Sequence, residues 1–233
     1  MADPVPLFLH EVVDIVGRGG VAYMEHTVSF DAGGTTSGGL ELLGTWEVVG
    51  TTGRWPQVVN VWQVDGWDGW ARLGQRTNVD KADNTELAAW WDEAYQRRTG
   101  GFDRLLRGAP GCPTKADLLG RGTHGSWFVH ELSEVRPGAG PDYLAATRAE
   151  RVPAMADRGI ALVGLYDSVL NDTEVCTIWA TDLPSHTALL REGDPWPATG
   201  RRWCTRWKPG QSTGGRSMSP LPSTPTCSTP SPG

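Results

Sequence analysis

The tetrapeptide Phe8-Leu9-His10-Glu11 returns as Phe128-Val129-His130-Glu131, 120 positions further along the chain (128 − 8 = 120). The same offset aligns residues 40–46 with residues 160–166, and an offset of 117 (175 − 58 = 117) aligns residues 58–62 with residues 175–179. A period near 120 is far longer than the roughly 20–50 residues of solenoid and propeller repeats. The sequence therefore indicates a duplicated domain, and each copy is predicted to have its own core.

Each copy has the pattern strand, helix, strand, strand, helix. In the second copy, β-branched and aromatic residues predict strands at 127–135, 160–166 and 174–180, with a hairpin turn at Asn171-Asp172. A helix is predicted from Pro141 to Gly159, interrupted by Pro153, and Asp182 is predicted to cap a last short helix.

An amphipathic helix is predicted between the copies. Asp83-x-x-Glu86 resembles a capping box. The residues at helical spacing are Leu87, Trp90, Trp91, Ala94, Tyr95 and Arg98. Thr99-Gly100-Gly101 is expected to end this helix, and residues 108–125 to form a linker.

These boundaries predict four segments: a first unit at 7–78, an inserted helix and linker at 79–125, a second unit at 126–193 and a tail at 194–233. The tail is basic and rich in Pro, Ser and Thr, which predicts disorder. An equally weighted hypothesis is a shifted reading frame after about residue 195, because the repeat pattern ends there.

Composition argues against several classes of function. The 233 residues carry a net charge of −6 and no apolar run of the length that a membrane span needs, which argues against nucleic-acid and membrane partners. The four cysteines form no CxxC pair, and the N-terminus has no basic leader. We therefore expect a cytoplasmic protein, present as a monomer or a homodimer.

The repeat resembles the NIPSNAP family over roughly residues 7–193. The resemblance is based on the turn Arg136-Pro137-Gly138, the following Tyr143-Leu144, and the strand pair at 162–164 and 175–179. It implies an α+β fold in which two tandem ferredoxin-like units form a pseudo-symmetric dimeric α/β-barrel arrangement. Similar barrels include cofactor-independent monooxygenases, haem enzymes, isomerases and binding modules. The first copy departs from the pattern, because Gly17-Arg18-Gly19-Gly20 replaces the Pro-Gly turn.

Alternation along the strands separates two faces of the sheet. One face is apolar and is predicted to lie under the helices; it carries Val59, Val61, Cys176, Ile178 and Ala180. The other mixes polar and aromatic side chains, as ligand cavities do. A pair of pseudo-equivalent cavities is predicted there, lined by Trp46, Asn60, Trp62, Tyr166, Thr177 and Trp179. The alternative is that these aromatic residues fill a barrel core.

His10, Glu11, His130 and Glu131 form the only repeated titratable pairs. Because neighbours on a strand point to opposite faces, we expect His10 to meet His130, or Glu11 to meet Glu131, across the pseudo-twofold axis. A buried carboxyl of this kind has a raised pKa and can shuttle protons. The alternative is that all four side chains are structural.

Arg98, next to Arg97, is a candidate ligand for a substrate carboxylate or phosphate; the alternative is a solvated helix face. No cofactor and no metal are predicted, although a haem or metal held by one histidine is a weaker alternative.

These features predict a protein that binds a small apolar or aromatic metabolite, as a cofactor-independent isomerase, cyclase or monooxygenase. The alternative is a non-catalytic ligand-carrying or protein-interaction module that uses the Trp90-Trp91 helix as its contact surface. Burial of both tryptophans within the chain would favour the first hypothesis.

Overall fold

The duplicated segments fold as two equivalent sets of strands that share one antiparallel sheet. The computed structural model describes residues 5–32, 39–49, 55–80 and 83–193. The first set and its helices are β1 (Leu7–Ile15), α1 (Gly20–Ala32), β2 (Leu40–Glu47), β3 (Gln57–Val64), α2 (Gly66–Gly74), α3 (Thr85–Ala94) and β4 (Arg98–Gly108). The second comprises α4 (Lys115–Gly120), β5 (Trp127–Glu134), α5 (Gly140–Ala146), α6 (Val152–Ala156), β6 (Ala161–Ser168), β7 (Glu174–Thr181) and α7 (Leu183–Gly193).

The sheet order β2-β3-β1-β4-β6-β7-β5 repeats one topology twice. In each copy the middle strand of three is the third in the chain, as in a ferredoxin-like unit. The copies share even their irregularity, because the register shifts between Leu42 and Gly44 in β2 and between Leu162 and Gly164 in β6. This β-bulge at equivalent positions supports the duplication inferred from the sequence.

Strand β4 was not expected from the sequence, which suggested a helix end and a linker in this region. It pairs with β1 along almost its whole length and with β6 at Leu106–Gly108, so it completes the first unit and joins the two copies. Gly101 fits here because a Cβ atom at this position would collide with the Val12 carbonyl oxygen. The expected linker at 108–125 also contains α4, which is closed by a Thr114–Asp117 capping box.

Helix boundaries differ from the prediction in two places. Helix α3 is capped by Asn84, whose side chain accepts the Leu87 N–H, instead of by Asp83, and Arg98 begins β4 instead of ending the helix. The helix predicted from Pro141 to Gly159 is divided by a π-helical turn at Thr147–Arg151. Pro153 follows this turn in the first positions of α6, where its missing N–H costs no regular hydrogen bond.

The two faces of the sheet are assigned in the opposite way to the prediction. The apolar line lies where the copies pack together, because Val61 and Ile178 share a core cluster with Phe8 and Tyr166. The mixed line lies under the helices: Val58 packs with Tyr23 of α1 and Ala94 of α3, and Trp179 packs with Met155 of α6. Alternation identifies two faces, but only the packing partners show which one the helices cover.

The tail predicted at 194–233, including its possible frame shift, lies outside the described residues. Within the described helices, none combines the length and apolar character needed to cross a membrane.

Candidate functional site

The carboxyl group of Glu11 is held between the sheet and the helices of the first unit. Its Oε2 accepts a hydrogen bond from Trp62 Nε1 at 2.7 Å and one from Asn60 Nδ2 at 3.1 Å. Thr45 Oγ1 donates to Asn60 Oδ1 at 2.7 Å, which fixes the amide orientation. Trp62 and Asn60 are buried, whereas Glu11 is partly buried. Three neighbouring strands therefore position one carboxyl group.

Aromatic side chains from α1 and α3 pack beside Trp62, the tryptophan that donates to Glu11. The ring of Phe30 meets that of Trp62 edge-on, with 6.3 Å between ring centres, and packs against Trp90 at 5.0 Å. The imidazole of His26 stacks on Trp90, also at 5.0 Å between ring centres. The hydroxyl of Tyr23, a fully buried side chain, has no hydrogen-bond partner among the described residues. The surroundings of Trp62 and Glu11 are thus mainly aromatic, with a few polar groups.

Strand β4 contributes two charged side chains to the same face. The guanidinium of Arg98 lies 5.1 Å from the centre of the Trp91 ring, a cation–π distance. Asp103 is directly opposite Glu11 in the β1–β4 register and is exposed. Antiparallel partners in register share a face of the sheet, so both carboxyl groups lie on the helix-covered side.

The equivalent carboxyl in the second unit, Glu131, has a different environment. It accepts hydrogen bonds from Thr177 Oγ1 at 2.8 Å and from Trp179 Nε1 at 2.9 Å, which correspond to those of Asn60 and Trp62. In addition, Arg151 donates to both carboxylate oxygens, each at 2.6 Å. This bidentate ion pair has no counterpart around Glu11 among the described residues.

The two carboxyl groups consequently differ in pKa. Burial raises the pKa of Glu11 and the charge of Asp103 raises it further, against the hydrogen bonds from Trp62 and Asn60 and the charge of Arg98. Burial also acts on Glu131, but Arg151 and the hydrogen bonds outweigh it and lower the pKa of Glu131 below its ordinary value. Ionisation is therefore less favourable for Glu11 than for Glu131, whose ion pair with Arg151 stabilises the carboxylate.

The two histidines converge on the opposite face, inside the barrel. The ring centres of His10 and His130 are 6.0 Å apart, and neither ring nitrogen of either residue has a hydrogen-bond partner among the described residues. Burial lowers the pKa of His10 to about 4, assisted by Arg104, and that of His130 to about 3, assisted by His10. Both imidazoles are therefore neutral at pH 7.

Trp46 and Tyr166 lie on this barrel side, apart from the other four residues of the predicted cavities. Trp46 packs on His130 at 4.8 Å and on Phe128 at 5.2 Å, and Tyr166 packs on Phe8 at 4.7 Å. Each ring folds back over the glycine two positions earlier, because a Cβ on Gly44 or Gly164 would overlap the ring. The space that these glycines leave is filled by the protein itself.

The structure thus brings the predicted residues together in three groups. They are Glu11 with Asn60, Trp62 and Arg98; Glu131 with Thr177 and Trp179; and His10 with His130, Trp46 and Tyr166. Glu11 and Glu131 do not meet in one site. Among the described residues, no cluster of three or more metal-ligating side chains occurs.

Sequence reasoning missed Tyr23, Asp103 and Arg151. One signal for Arg151 was available, because at the 120-residue offset it aligns with Asp31, a reversal of charge (151 − 120 = 31). Asp31 instead accepts the Leu42 N–H at 2.9 Å and pairs with Lys115 at 3.5 Å. Asp103 was missed together with its strand.

Two surface clefts lie away from these groups, near the junction of β4 and β6. The larger has a volume of about 640 Å³ and the smaller about 430 Å³. They share Arg107, Pro141 and Asp167, and Arg107 pairs with Asp167 there. None of the predicted site residues lines either cleft.

Neither a protein-family model nor a curated protein sequence matches this chain. Its fold is similar to two solved structures, both described as a "putative monooxygenase". The one from Fusobacterium nucleatum is 13% identical, with a TM-score of 0.50 over 79% of this chain and 80% of that chain. The one from Lactobacillus acidophilus is 13% identical, with a TM-score of 0.52 over 80% of this chain and 82% of that chain. At this identity the likeness concerns the fold alone, and it confirms an α+β fold of two ferredoxin-like units in a dimeric α/β-barrel arrangement.

Proposed function

We propose that the first unit binds a small apolar or aromatic metabolite and that Glu11 moves a proton on it without a cofactor. The reaction would be an isomerisation, a cyclisation or an oxygenation. The name of the two solved structures agrees with the last of these, and the NIPSNAP-like repeat remains the family we propose. The binding surface lies between β1, β3 and β4 on one side and α1 and α3 on the other.

One observation carries this proposal, the asymmetry between Glu11 and Glu131. Both occupy the same position of the repeat, and both accept a tryptophan indole N–H. Within the described part of the chain, Glu131 forms a bidentate ion pair with an arginine, as a structural carboxylate does, whereas Glu11 feels Arg98 only through its charge. A general base or acid needs a pKa near the working pH, and burial moves that of Glu11 in this direction.

The surroundings of Glu11 suit a flat, weakly polar ligand. Trp62, Trp90 and Phe30 offer aromatic faces, and the Tyr23 hydroxyl is a hydrogen-bond donor without a partner among the described residues. Such a donor stabilises the oxygen of an enolate that forms when a neighbouring C–H bond loses its proton. Because neither surface cleft reaches Glu11, and Phe30 and Trp90 pack beside Trp62, we expect ligand entry to displace Phe30 or Trp90.

The interaction-module hypothesis receives less support. Trp90 and Trp91 are both partly buried within the chain, one against His26 and Phe30 and the other beneath Arg98. Tyr95, which is 62% exposed, is the aromatic residue that this segment presents most openly. The helix therefore packs both tryptophans against α1 and β4 within the chain.

Deuterium exchange tests the proposal. The probes are 2-tetralone and 1-indanone, flat ketones with acidic C–H bonds beside the carbonyl, incubated with the full chain in D₂O and followed by proton NMR. We expect the protein to accelerate exchange over buffer and Glu11→Gln to reduce the acceleration by about 100-fold or more.

The matched control is Glu41→Gln, the same substitution at an exposed position of β2. It should exchange like the unmodified chain, and circular dichroism should show that both variants are folded. No acceleration with either ketone, or equal acceleration by Glu11→Gln, would overturn the proposal.

A further inference from the structure

We propose that Asp103 is the proton relay of the Glu11 site, passing protons between Glu11 and solvent. This inference rests on the proposed function of Glu11. It assigns a role to a residue on β4, the strand that the repeat pattern does not contain.

The β1–β4 register places the two carboxyl groups side by side. Glu11 and Asp103 are direct partners in the antiparallel ladder, so their Cβ atoms are about 4.5–5.5 Å apart on one face of the sheet. A glutamate and an aspartate at this separation meet directly or through one water molecule. Glu11 is partly buried and Asp103 is exposed, so the pair leads from the aromatic site to the surface.

The route to solvent is open at this end of β4. The strand pairs with β6 only at Leu106–Gly108, and Gly101, Phe102 and Asp103 are all exposed. On the other side of Glu11, Trp62, Asn60 and Tyr23 are buried. Among these neighbours, Asp103 is therefore the proton acceptor that water reaches.

A second, independent feature marks the same place as a site for a ligand. The buried Tyr23 hydroxyl makes no hydrogen bond of ordinary geometry among the described residues. Burial raises its pKa, the charge of Glu11 adds to this, and Arg98 and the neighbouring Asn60 and Thr27 side chains act against it. The titratable groups that interact electrostatically with Glu11 are thus Tyr23 of α1 and two residues of β4, Arg98 and Asp103. Asn60 and Trp62 of β3 and Trp91 of α3 add no charge.

The electrostatics fit a relay. Asp103 is exposed, but the part of its side chain that lies against the sheet loses hydration, and this raises its pKa while Arg98 lowers it. The Asp103 charge in turn raises the pKa of Glu11, which burial raises most. Two adjacent carboxyl groups that both resist ionisation share a proton readily.

The proposed step is balanced without any oxidant or reductant. The substrate C–H bond breaks, its electron pair remains on the substrate as an enolate, and the proton goes to Glu11. The protonated Glu11 gives that proton to the Asp103 carboxylate, and Asp103 releases it to water. The reverse sequence delivers a solvent proton, or in D₂O a deuteron, to the enolate carbon.

The test compares Asp103→Asn with Asp103→Glu in the same exchange assay with 2-tetralone. Asp103→Asn should slow deuterium incorporation by about tenfold or more, and Asp103→Glu should restore most of it. Added imidazole, a small diffusible proton carrier, should rescue Asp103→Asn in a concentration-dependent way but leave Glu11→Gln inactive. Asp92→Asn, at an exposed position of α3, is the matched control.

A second readout does not depend on turnover. Because the Asp103 charge raises the pKa of Glu11, Asp103→Asn should lower that pKa in a carbon-13 NMR titration. Exchange at the unmodified rate in Asp103→Asn, or an unchanged Glu11 pKa, would overturn the relay while leaving the role of Glu11 intact. No exchange by the unmodified chain would instead overturn the proposed function.

Discussion

At the scale of single residues, burial raises the pKa of Glu11 most, and the hydrogen bond from Trp62 is the strongest influence that opposes it. The indole N–H stabilises the ionised carboxylate and so lowers its pKa. Trp62→Phe keeps the aromatic ring but removes this donor, so the pKa of Glu11 should rise. The ionised base then forms at higher pH, and the acidic limb of the pH–rate profile for deuterium exchange should shift upward. An unshifted limb would show that Glu11 is not the base.

Arg151 makes the environment of Glu131 different from that of Glu11. Its bidentate contact with Glu131 is about one-third exposed on each side, so we expect Arg151→Met to lower the free energy of unfolding by about 1–3 kcal/mol. The same variant should raise the pKa of Glu131 toward that of Glu11. Urea unfolding measures the first effect. Arg72→Met, which breaks the exposed pair with Asp65, is the control and should change stability by less than about 0.5 kcal/mol.

The histidine pair inside the barrel predicts sensitivity to acid. The pKa of His10 is about 4 in the folded chain, below its ordinary 6.5, so the unfolded chain binds the proton first. Stability is therefore full above pH 6.5 and declines as the pH falls toward 4, by up to about 1.4 kcal/mol per pH unit for each histidine. His10→Leu should flatten the dependence of the unfolding free energy on pH in this window. If the unfolding free energy of His10→Leu falls with pH as steeply as that of the unmodified chain, His10 is not the group that titrates with a lowered pKa.

At the scale of elements, β2 and β6 each need a glycine two positions before an aromatic residue: Gly44 before Trp46 and Gly164 before Tyr166. A Cβ on Gly164 would overlap the ring of Tyr166, a fully buried side chain, so Gly164→Ala should destabilise the chain by about 1–3 kcal/mol. Gly74→Ala, at an open helical position of α2, should instead stabilise it by about 0.4–1 kcal/mol. Thermal or urea unfolding measures the change in unfolding free energy of each variant. No change in Gly164→Ala would contradict the close packing of Tyr166 on Gly164.

Most elements were predictable from their own sequence; β4 and the short helix α4 were not, and β4 shows why. Its segment begins with the helix-stopping Thr99-Gly100-Gly101, and within it only Leu106 and Gly108 are buried. A strand that is exposed over most of its length carries no apolar alternation. Its position follows from pairing with β1, which a local pattern does not encode.

At the scale of the whole molecule, the duplication and fold class were predictable because both copies retain the same strand pattern. Strand alternation separated the histidines from the glutamates but left open which pair converges, and the structure brings His10 near His130. It could not assign the faces, because the barrel interior between the copies is as apolar as a helix-covered face. The difference in pKa between Glu11 and Glu131 could not be predicted from the strand pattern either, because it depends on the contact of Arg151 with Glu131, 20 residues earlier in the chain.

Glu11 and Glu131 occupy equivalent positions of the repeat, but their pKa values are shifted in opposite directions from the ordinary glutamate value. The most direct test is a carbon-13 NMR titration of the glutamate side chains in the full-length protein, with assignments from Glu11→Gln and Glu131→Gln. We expect Glu11 to titrate above the ordinary glutamate value and Glu131 below it. If the two residues titrate together, or in the reverse order, Glu11 is not the distinctive group of this fold and the proposed site is wrong.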